Sequence, residues 1–599
     1  MVKNIISLFT LLAVVSSMTF SAGSKFLITN KPKKAAIEIP STSVINPSGT
    51  RKSSPSQDSP FDLTWVLMDS MPNVYGTSSA DINPLAYDPW CNAIAMIHRG
   101  AINYDPPNPT TGSLWYGKST DEFATWQRVA KLNADVDQYG RYPSSAISNP
   151  GHSSDPSSTI YEYSFPHLTG GTAFGTLGYG LDPFGAGTPF TTLYLGSGDY
   201  LANTWITASD DGEPNVYFIV ERSTTPTTLE FWRTTNQGET WAIASSWSSE
   251  IDELYNSRVH CKGNTVYVEV TTLPTGGDHL LMKINKSTDK GSTWSGWETV
   301  DWRAISALSA YDGFGTSDRR IAHDFVVDAN GNEHIFFTAL DTNATTGGFD
   351  IVEVYRDGAS WSSYVVAPRK KSFKPGFSDL KQMDNELFAS ISEDRNAIVV
   401  KWIDAPVEGD TMNTDIFTRG RKIDQTYGPI QNQTQTGGDF GREMSTHIAS
   451  RFENVAPNHT SYVYLSKTEQ LDATVTDPNL DDGQPCALWG AKAMVDFTPQ
   501  GVVVNERESG IPAGYSLYTN YPNPFNPTTK IAFDIPNASN VTLKVYDVTG
   551  KEVATLFDGY QQAGKYEATF DASKLASGIY VAKMQAGTFT ASQKMILAK

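Results

Sequence analysis

The stretch Ser287-Thr288-Asp289-Lys290-Gly291-Ser292-Thr293-Trp294 indicates how the middle of this chain folds. The side chains of Ser287 and Asp289 can hydrogen-bond to the backbone of a tight turn, and Gly291 can take the positive φ that a side chain resists. Trp294 supplies a large apolar ring at the start of the following strand, where it can wedge between neighbouring sheets. The stretch therefore predicts a strand–turn–strand unit packed against another sheet.

Two further segments have nearly the same form. Thr234-Thr235-Asn236-Gln237-Gly238-Glu239-Thr240-Trp241 has Asn in place of Asp, and Ser119-Thr120-Asp121-Glu122-Phe123-Ala124-Thr125-Trp126 has Phe123 in place of glycine. The form Ser/Thr-x-Asp-x-Gly-x-Thr-Trp resembles the Asp-box of sialidase-like β-propellers. The resemblance implies a structural role for Ser119, Asp121, Trp126, Thr234, Asn236, Gly238, Trp241, Ser287, Asp289, Gly291 and Trp294.

Composition limits the class of protein. At 599 residues the chain is long enough for two or more domains, and its abundant aromatic, Gly and Pro residues favour many short strands joined by turns. A net charge of -19 argues against a nucleic-acid partner, because phosphate would be repelled over most of the surface. Three distant cysteines, Cys91, Cys261 and Cys486, form no disulfide framework or zinc spacing, and buried free thiols are expected.

The N-terminal residues have the form of an export signal. Residues 1–22 begin with the basic Lys3, continue with an apolar run over 5–15 and end in small residues, which predicts a secretory signal peptide. The run is shorter than the roughly 20 residues that a bilayer needs, so we expect no transmembrane segment after signal cleavage. Residues 23–60 are rich in Ser, Pro, Lys and Thr without a period, which predicts a linker.

Residues 61–500 repeat a short strand, a polar turn and a more apolar strand. Successive starts fall about 50–65 residues apart, the size of a four-stranded propeller blade. Seven starts can be placed, near Asn83, Arg141, Trp205, Arg258, Ile321, Leu380 and Thr446. The predicted fold class is therefore all-β, a seven-bladed β-propeller with six blades as the alternative. The early strand over 63–67 can complete the last blade and remove an open sheet edge.

The composition changes after a polar connector over 501–514. Residues 515–599 hold alternating apolar and polar runs separated by turn residues, which predicts a small immunoglobulin-like β-sandwich. Near its start, three closely spaced prolines force an extended segment. That segment contains Tyr521, Pro522, Asn523, Pro524, Phe525, Asn526 and Pro527.

This segment and the runs that follow it resemble the type A C-terminal sorting domain of the type IX (Por) secretion system. The later 545–551 and 576–581 segments and the terminal strand ending in Lys599 fit the same family. The resemblance implies the type IX machinery as a partner. It also implies delivery to the cell surface or the outside of a Gram-negative bacterium, either released or anchored.

The resemblance to sialidase-like propellers implies that the Asp-box turns lie at the face opposite the usual binding site. The N-terminal ends of the innermost strands then lie at the binding face, called the upper face below, and four of these ends carry arginine. Tyr139-Gly140-Arg141-Tyr142-Pro143 resembles the Phe/Tyr-Arg-Ile-Pro motif of sialidases, whose arginine binds the substrate carboxylate, but Tyr142 replaces Ile. The alternative for such arginines is pairing with carboxylates in an acidic protein. The candidate ligand-binding residues are Arg141, Arg258, Arg320 and Arg442.

Other chemistry has weaker signals. Asp318, Asp324 and Glu443 fall near the upper face as candidate carboxylates, and His260, His323 and His447 fall on predicted inner strands, where core histidines are usual. The oxygen-rich segment 477–483 leaves calcium open as a cofactor. It lacks the complete EF-hand pattern, so we expect a polar loop, no metal site and no cofactor.

These observations predict an exported β-propeller that binds a glycan or protein ligand without catalysis. The alternative is an exo-acting glycoside hydrolase of the sialidase type, and a third reading is a structural component of the cell surface. No catalytic residue can be assigned from the sequence, since neither a nucleophile pair nor an acid/base carboxylate follows from a motif.

Overall fold

The computed structural model describes most of the chain after residue 62. The described residues are 50–52, 63–71, 82–99, 112–133, 139–169, 173–194, 199–224, 226–248, 250–251, 253–274, 277, 279–305, 308–309, 311–312, 323–341, 349–368, 386–404, 415–434, 443–470, 486–498, 505–508, 512–536, 539–561, 564–572, 575–586 and 589–599. Several predicted features lie outside this set: the signal peptide over 1–22, Arg320, Arg442, Asp318 and the segment 477–483.

The described chain is built from β-strands. Its helical elements in these ranges are two 3₁₀ turns, Pro156–Ser158 and Trp302–Ala304. No helix found there has the length and apolar character needed to cross a membrane. Two strands come first in the chain, β1 (Thr50–Lys52) and β2 (Thr64–Met71).

Four consecutive four-stranded sheets follow, each with its strands paired antiparallel in chain order. Their strands are, for sheet 1, β3 (Leu85–Asp88), β4 (Ala93–Arg99), β5 (Leu114–Ser119) and β6 (Gln127–Lys131); for sheet 2, β7 (Ser144–Ser148), β8 (Ile160–Thr169), β9 (Ala173–Pro183) and β10 (Phe190–Tyr194); for sheet 3, β11 (Asp199–Ala208), β12 (Val216–Ser223), β13 (Thr228–Thr234) and β14 (Ala242–Trp247); for sheet 4, β15 (Glu253–Lys262), β16 (Thr265–Leu273), β17 (Leu281–Ser287) and β18 (Glu298–Val300).

Three more sheets complete this part of the described chain. Their strands are, for sheet 5, β19 (Tyr311–Asp312), β20 (His323–Val327), β21 (Glu333–Asp341), β22 (Phe349–Asp357) and β23 (Ser360–Pro368); for sheet 6, β24 (Phe388–Ser392), β25 (Ala397–Asp404), β26 (Asp415–Lys422), β27 (Gln431–Asn432) and β29 (Arg451–Phe452); for sheet 7, β28 (Glu443–Ile448), β30 (Thr460–Gln470) and β31 (Cys486–Asp496), together with β1 and β2. β29 pairs in parallel with β24. The early strand β2 pairs antiparallel with β31, and β1 pairs with β2.

The second strands β4 and β25 bury both of their faces, which explains their continuous apolar runs in the sequence. Every residue of β4 is buried, as is every residue of β25, because side chains pointing to either face meet a neighbouring sheet. Ile97 and Tyr161 share one core cluster between sheets 1 and 2, and Phe337 and Tyr267 share another between sheets 5 and 4. The hydrophobic core is thus divided into layers between successive sheets.

Hydrogen bonds link the first strands of successive sheets. Ser145 of β7 donates its backbone N–H to Asn83 O beside β3 (3.0 Å), and Ser144 donates its hydroxyl to Thr204 O of β11 (2.5 Å). Ala389 of β24 donates to Asp324 Oδ2 of β20 (2.8 Å). Sheets 7 and 1 meet through the Lys492–Glu122 ion pair, at 2.7 Å. The first strands therefore lie side by side in chain order.

The three Asp-box segments form turns between the third and fourth strands of sheets 1, 3 and 4. Gly291 N–H donates to Ser287 Oγ (2.8 Å), and Thr293 N–H donates to Asp289 Oδ1 (2.8 Å). The bonds from Thr293, backbone first, together with that from Ser287 lower the pKa of Asp289 to about 2. Gly291 has φ +81°, and a Cβ there would lie 2.4 Å from Phe231. Glycine is therefore required at this turn.

The three Asp-box tryptophans lie at different distances from the strand that follows them. Trp126 and Trp241 directly precede β6 and β14, but Trp294 lies four residues before β18, so the expected strand start at Trp294 is wrong. A second turn intervenes, in which Gly296 N–H donates to Asn285 Oδ1 (3.1 Å). Trp294 still packs edge-on against Phe231 and Trp247 of sheet 3, at 5.0 Å between ring centroids in each case.

The C-terminal residues form two sheets around one core. Their described strands are, for the first sheet, β32 (Asn505–Glu508), β33 (Ser516–Leu517), β34 (Thr528–Ile535) and β37 (Gly564–Asp571); for the second, β35 (Ser539–Asp547), β36 (Glu552–Gln561), β38 (Gly578–Ala586) and β39 (Phe589–Leu597). Ile531 and Phe533 of the first sheet share this core with Leu543 and Met584 of the second.

Candidate functional site

The upper face is the end of the sheets at which their first strands begin. The Asp-box turns lie at the opposite end, because they join third strands to fourth strands in antiparallel sheets. Arg141 lies three residues before β7 and therefore at the upper end. Arg258 lies within β15, and the backbone of Glu443 begins β28.

The segment that carries Arg141 is held between sheets 1 and 2. Tyr139 forms a backbone bridge with Gly112, and Gly140 forms another with His167 at the end of β8. Arg141 N–H donates to Pro166 O at 2.9 Å. Tyr142 has φ +42°, which is unusual for a bulky side chain and costs roughly 1–3 kcal/mol where the surroundings impose it. Strain of this size often occurs at functional sites.

The guanidinium of Arg141 has a single described hydrogen bond, from Nη1 to Gly140 O at 2.8 Å. No carboxylate of the described residues lies within ion-pair distance of it. Arg141 is half-buried, and burial lowers the pKa of its guanidinium, which nearby Tyr142 and Tyr139 only partly offset. A desolvated cation without a counter-charge favours an anionic ligand, because the ligand would supply the missing charge.

Aromatic rings surround this position. Tyr139 approaches the ring of His167 edge-on at 6.3 Å between centroids, and Tyr142 lies 6.3 Å from Phe174. Tyr142 is buried against Ile82, so it anchors the segment in the core. Arg141 is thus presented on a rigid aromatic support, which is the arrangement that positions a binding group precisely.

Arg258, in contrast, lies inside the protein. It is fully buried, its guanidinium carbon stacks 4.2 Å from the ring of Trp205, and Nη2 donates to His323 O at 3.0 Å. Asp324 is its charge partner, with Nε 3.7 Å from Oδ1. Burial raises the pKa of Asp324 to about 6, although Arg258 opposes that rise. These contacts match the alternative of pairing within an acidic protein.

Of the predicted inner-strand histidines, His323 and His447 are buried and His260 is half-buried. His323 bonds to Glu269 through Nε2 at 2.7 Å, and both side chains are excluded from water. Burial, with the positive charges of Arg395, Arg258 and Arg451, lowers the pKa of His260 to about 3. His447 packs against Phe388, at 5.0 Å between centroids. None of the three is exposed in the structure.

Two charged groups that join neighbouring sheets were missed by sequence reasoning. Lys401 of β25 is fully buried and donates to Glu386 O (2.7 Å) and Thr446 O (2.6 Å), joining sheets 6 and 7. A lysine in the otherwise apolar run Ala397–Asp404 was the available signal. At the other end, Arg395 donates to Asp210 Oδ2 (2.6 Å) and Val327 O (2.8 Å), joining sheet 6 to sheets 3 and 5.

Metal and thiol chemistry have no described site. Within the described ranges, no group of three or more His, Cys, Asp or Glu residues could hold a metal ion. Cys91, Cys261 and Cys486 are buried free thiols. Burial, assisted by Asp88, raises the pKa of the Cys91 thiol, so this group is held in its unreactive protonated form.

Comparison with known proteins identifies the C-terminal module. Residues 519–598 match the family described as "Secretion system C-terminal sorting domain". A search of curated proteins finds no match. The sorting domain shows that this protein is delivered through type IX secretion to the surface or the outside of a Gram-negative bacterium.

Three solved structures have weak similarity to the chain. The phage phi92 endosialidase is 11% identical, with a TM-score of 0.35 and coverage of 76% of this chain and 73% of that chain. The Penicillium chrysogenum α-L-arabinanase is 11% identical, with a TM-score of 0.32 and coverage of 71% and 98%. The N11 neuraminidase-like protein of influenza A/flat-faced bat/Peru/033/2010 is 8% identical, with a TM-score of 0.31 and coverage of 59% and 87%. No activity follows from similarity at this level.

Proposed function

We propose that this exported protein is a non-catalytic binding protein that holds a carboxylate-bearing ligand, carried by a glycan or a protein, against Arg141. In this proposal sheets 1 to 7 are the blades of a seven-bladed β-propeller occupying residues 61–500. The pairing of β2 with β31 closes the ring. The C-terminal residues 515–599 form an immunoglobulin-like sorting module, to which β32 from the predicted connector adds an edge strand. The ligand approaches the upper face.

The ring arrangement is supported by contacts between sheets that are distant in sequence. Phe123, from the Asp-box turn of sheet 1, packs beside Gly490 of β31, where a Cβ would lie 2.5 Å from its ring. Arg395 and Asp210 meet although 185 residues separate them. Contacts between first and last sheets, and across the axis, are what a closed ring requires.

The observation that carries the binding proposal is the state of Arg141. Arg141 is half-buried and has no carboxylate partner among the described residues. The free-energy cost of removing its charge from water is therefore not offset by an ion pair. A ligand carboxylate can accept two parallel N–H bonds from such a guanidinium. Hydrogen bonds to charged groups contribute about 1.5–3 kcal/mol, which corresponds to roughly 10- to 150-fold in affinity.

One observation favours the alternative, an exo-acting hydrolase of the sialidase type. The Tyr139–Pro143 segment, which resembles a sialidase arginine motif, presents its arginine at the upper end of β7. Against this, Arg258 is enclosed and already paired, so it cannot join Arg141 in clamping a substrate without rearrangement. The binding function therefore has the stronger support.

An array of acidic and neutral glycans, extended with acidic peptides, tests the proposal on the purified full chain. We expect carboxylate-bearing ligands to bind the wild-type protein and Arg141→Ala to weaken that binding at least about tenfold. Arg233→Ala is the matched control, since Arg233 is also half-buried but lies beside the Asp-box turn of sheet 3, at the opposite end.

A parallel assay with chromogenic sialosides separates binding from catalysis. We expect no turnover. Hydrolysis that is lost in Arg141→Ala and retained in Arg233→Ala would replace the binding proposal with the hydrolase. If no acidic ligand binds the wild-type protein, the binding proposal fails, and a structural role at the cell surface takes its place.

A further inference from the structure

The second C-terminal sheet has one side in the core and one side in solvent. Along β38 and β39, Tyr580, Ala582, Met595 and Leu597 are buried, so the alternate positions point outward. We call five of these outward positions the β38–β39 face: Ile579, Val581, Lys583, Lys594 and Ile596.

Apolar side chains stand together on this face. Ile579 pairs in register with Ile596, and Val581 pairs with Lys594. Ile579 is 42% exposed and Ile596 is 37% exposed. Two adjoining isoleucines in solvent contribute nothing to the core, and exposed apolar groups that adjoin one another mark interaction sites.

The same face is cationic. Lys583 stands directly opposite Lys544 of β35, and Lys594 lies on the next strand, diagonal to Lys583. Lys583 and Lys594 have no ion pair in the described structure, and the outward positions of β38 and β39 include no carboxylate. Glu552 and Asp558 belong to β36, which is separated from β39 by two strands.

This basic character contrasts with the rest of the chain. Residues 515–599 contain eight lysines and six carboxylates, whereas the whole chain contains 46 basic and 65 acidic residues. A cationic, partly apolar sheet face in an acidic protein fits an acidic partner with an apolar centre.

The sorting motif holds the strand that carries this face. Asn523 Nδ2 donates to Lys594 O (3.1 Å), and Ile596 N–H donates to Asn523 Oδ1 (3.0 Å). Phe525, itself buried, donates its N–H to Ile596 O at 2.9 Å. The motif therefore covers the edge of β39 at Lys594 and Ile596 and fixes both side chains on the outward side.

We propose that the β38–β39 face is the surface with which the sorting module docks on the type IX export machinery, and that the receptor surface is acidic with an apolar centre. The matched family assigns the module to sorting, and the motif and the face are continuous through Asn523. Docking brings negative charge to Lys583 and Lys594 and removes the two isoleucines from water, and both changes favour the docked state.

The test is export of the full chain from a Gram-negative host that has the type IX system. The fraction at the cell surface and in the medium is compared with the periplasmic fraction for wild-type protein and for Lys583→Gln/Lys594→Gln. We expect export to fall at least about tenfold, with the module still attached to the periplasmic protein. Lys583→Arg/Lys594→Arg, which keeps both charges, restores export.

The matched control is Lys530→Gln/Lys551→Gln, an equal change of charge within the module but on the other sheet and on a turn. Export of this control at the wild-type level is expected. Thermal unfolding of each purified chain verifies folding, and the single variants Lys583→Gln and Lys594→Gln replace the double variant if it unfolds early.

One result would overturn the proposal: export of Lys583→Gln/Lys594→Gln equal to that of the wild-type protein. If this variant is exported at the wild-type level but has lost binding to vesicles of phosphatidylglycerol and phosphatidylcholine, the occupant of the face is an anionic membrane instead of a protein receptor.

Discussion

Glu162 lies on β8 with both carboxylate oxygens buried and, within the described structure, without hydrogen-bond partners. The glycine of the neighbouring Asp-box, Gly238, lies against it, and a Cβ at Gly238 would approach Oε2 to 2.9 Å. Burial raises the pKa of Glu162 well above its ordinary value. The folded protein therefore binds a proton at this residue that the unfolded chain releases near pH 4.5.

This burial predicts a defined pH dependence. Since the folded pKa is raised, the stability contributed by the protonated carboxyl is present below pH 4.5 and is lost as the pH rises toward the folded pKa, at about 1.4 kcal/mol per pH unit. Glu162→Gln removes the titration, so its stability advantage over the wild-type protein should grow as the pH rises above 4.5. Urea unfolding at several pH values measures this.

The control is Glu239→Gln, an exposed glutamate in the adjacent turn. Its free energy of unfolding should equal that of the wild-type protein at every pH. Parallel pH curves for Glu162→Gln and wild type would contradict a buried, unpartnered carboxyl.

Phe123 shows where a residue pattern and a structure diverge. The sequence shows the departure from glycine but not its consequence. Phe123 takes φ +65°, the left-handed conformation of the glycine it replaces, and its ring is buried against sheet 7. The apolar ring offsets the backbone strain, because its burial contributes more than the roughly 1–3 kcal/mol that the conformation costs.

A double-mutant cycle tests this contact. Phe123→Ala should destabilise by about 3–5 kcal/mol, because it leaves a cavity. Gly490→Ala should destabilise by about 1–3 kcal/mol, because its Cβ would overlap the ring. The double variant should lose less stability than the two single variants lose together, since the added methyl group enters the space that the phenyl ring has left. Additive free energies of unfolding would show that the two residues do not touch.

At the scale of elements, charged groups join sheets 5 and 6. Arg421 of β26 pairs with Glu353 of β22, and His334 and Tyr427 each bond to Glu353 at 2.7 Å. Burial opposes ionisation of Glu353, but Arg421 and His334 outweigh it and lower the pKa of Glu353 to about 2. The carboxylate is therefore charged and fully compensated at neutral pH.

Arg421→Ala should destabilise the protein by about 3–5 kcal/mol, because it leaves Glu353 charged and buried without its main partner. Lys290→Ala is the control, since its ion pair with Glu213 is partly exposed and should contribute only about 0–1 kcal/mol. Chemical denaturation measures both. Equal decreases in the free energy of unfolding for the two variants would show that the buried ion pair contributes no more to stability than the exposed one.

The sequence predicts some elements well and others poorly. The buried second strands such as β4 and β25 are read directly from their apolar runs. The fourth strands are not, because β18 has three residues and β27 has two, too few for a pattern. Buried pairs are also hidden, since Arg421 and Glu353 are 68 residues apart and only the fold brings them together.

At the scale of the whole molecule, the all-β class and the sorting domain follow from the sequence, because short motifs fix turn conformation and prolines fix extended backbone. The four arginines shared one predicted environment, yet Arg141 is half-buried without a described ion pair and Arg258 is enclosed and paired. Position at a strand end can be read from sequence, but burial depends on which side chains converge from other sheets.

The most direct test of the account is calorimetric titration of the full chain with the tightest carboxylate-bearing ligand from the array. Arg141→Lys should raise the dissociation constant roughly tenfold, because an ammonium cannot form two parallel bonds to a carboxylate, and Arg141→Ala should raise it further. Arg233→Ala should bind as the wild-type protein does. Wild-type affinity in Arg141→Ala would contradict the account, since the ligand would then be held elsewhere.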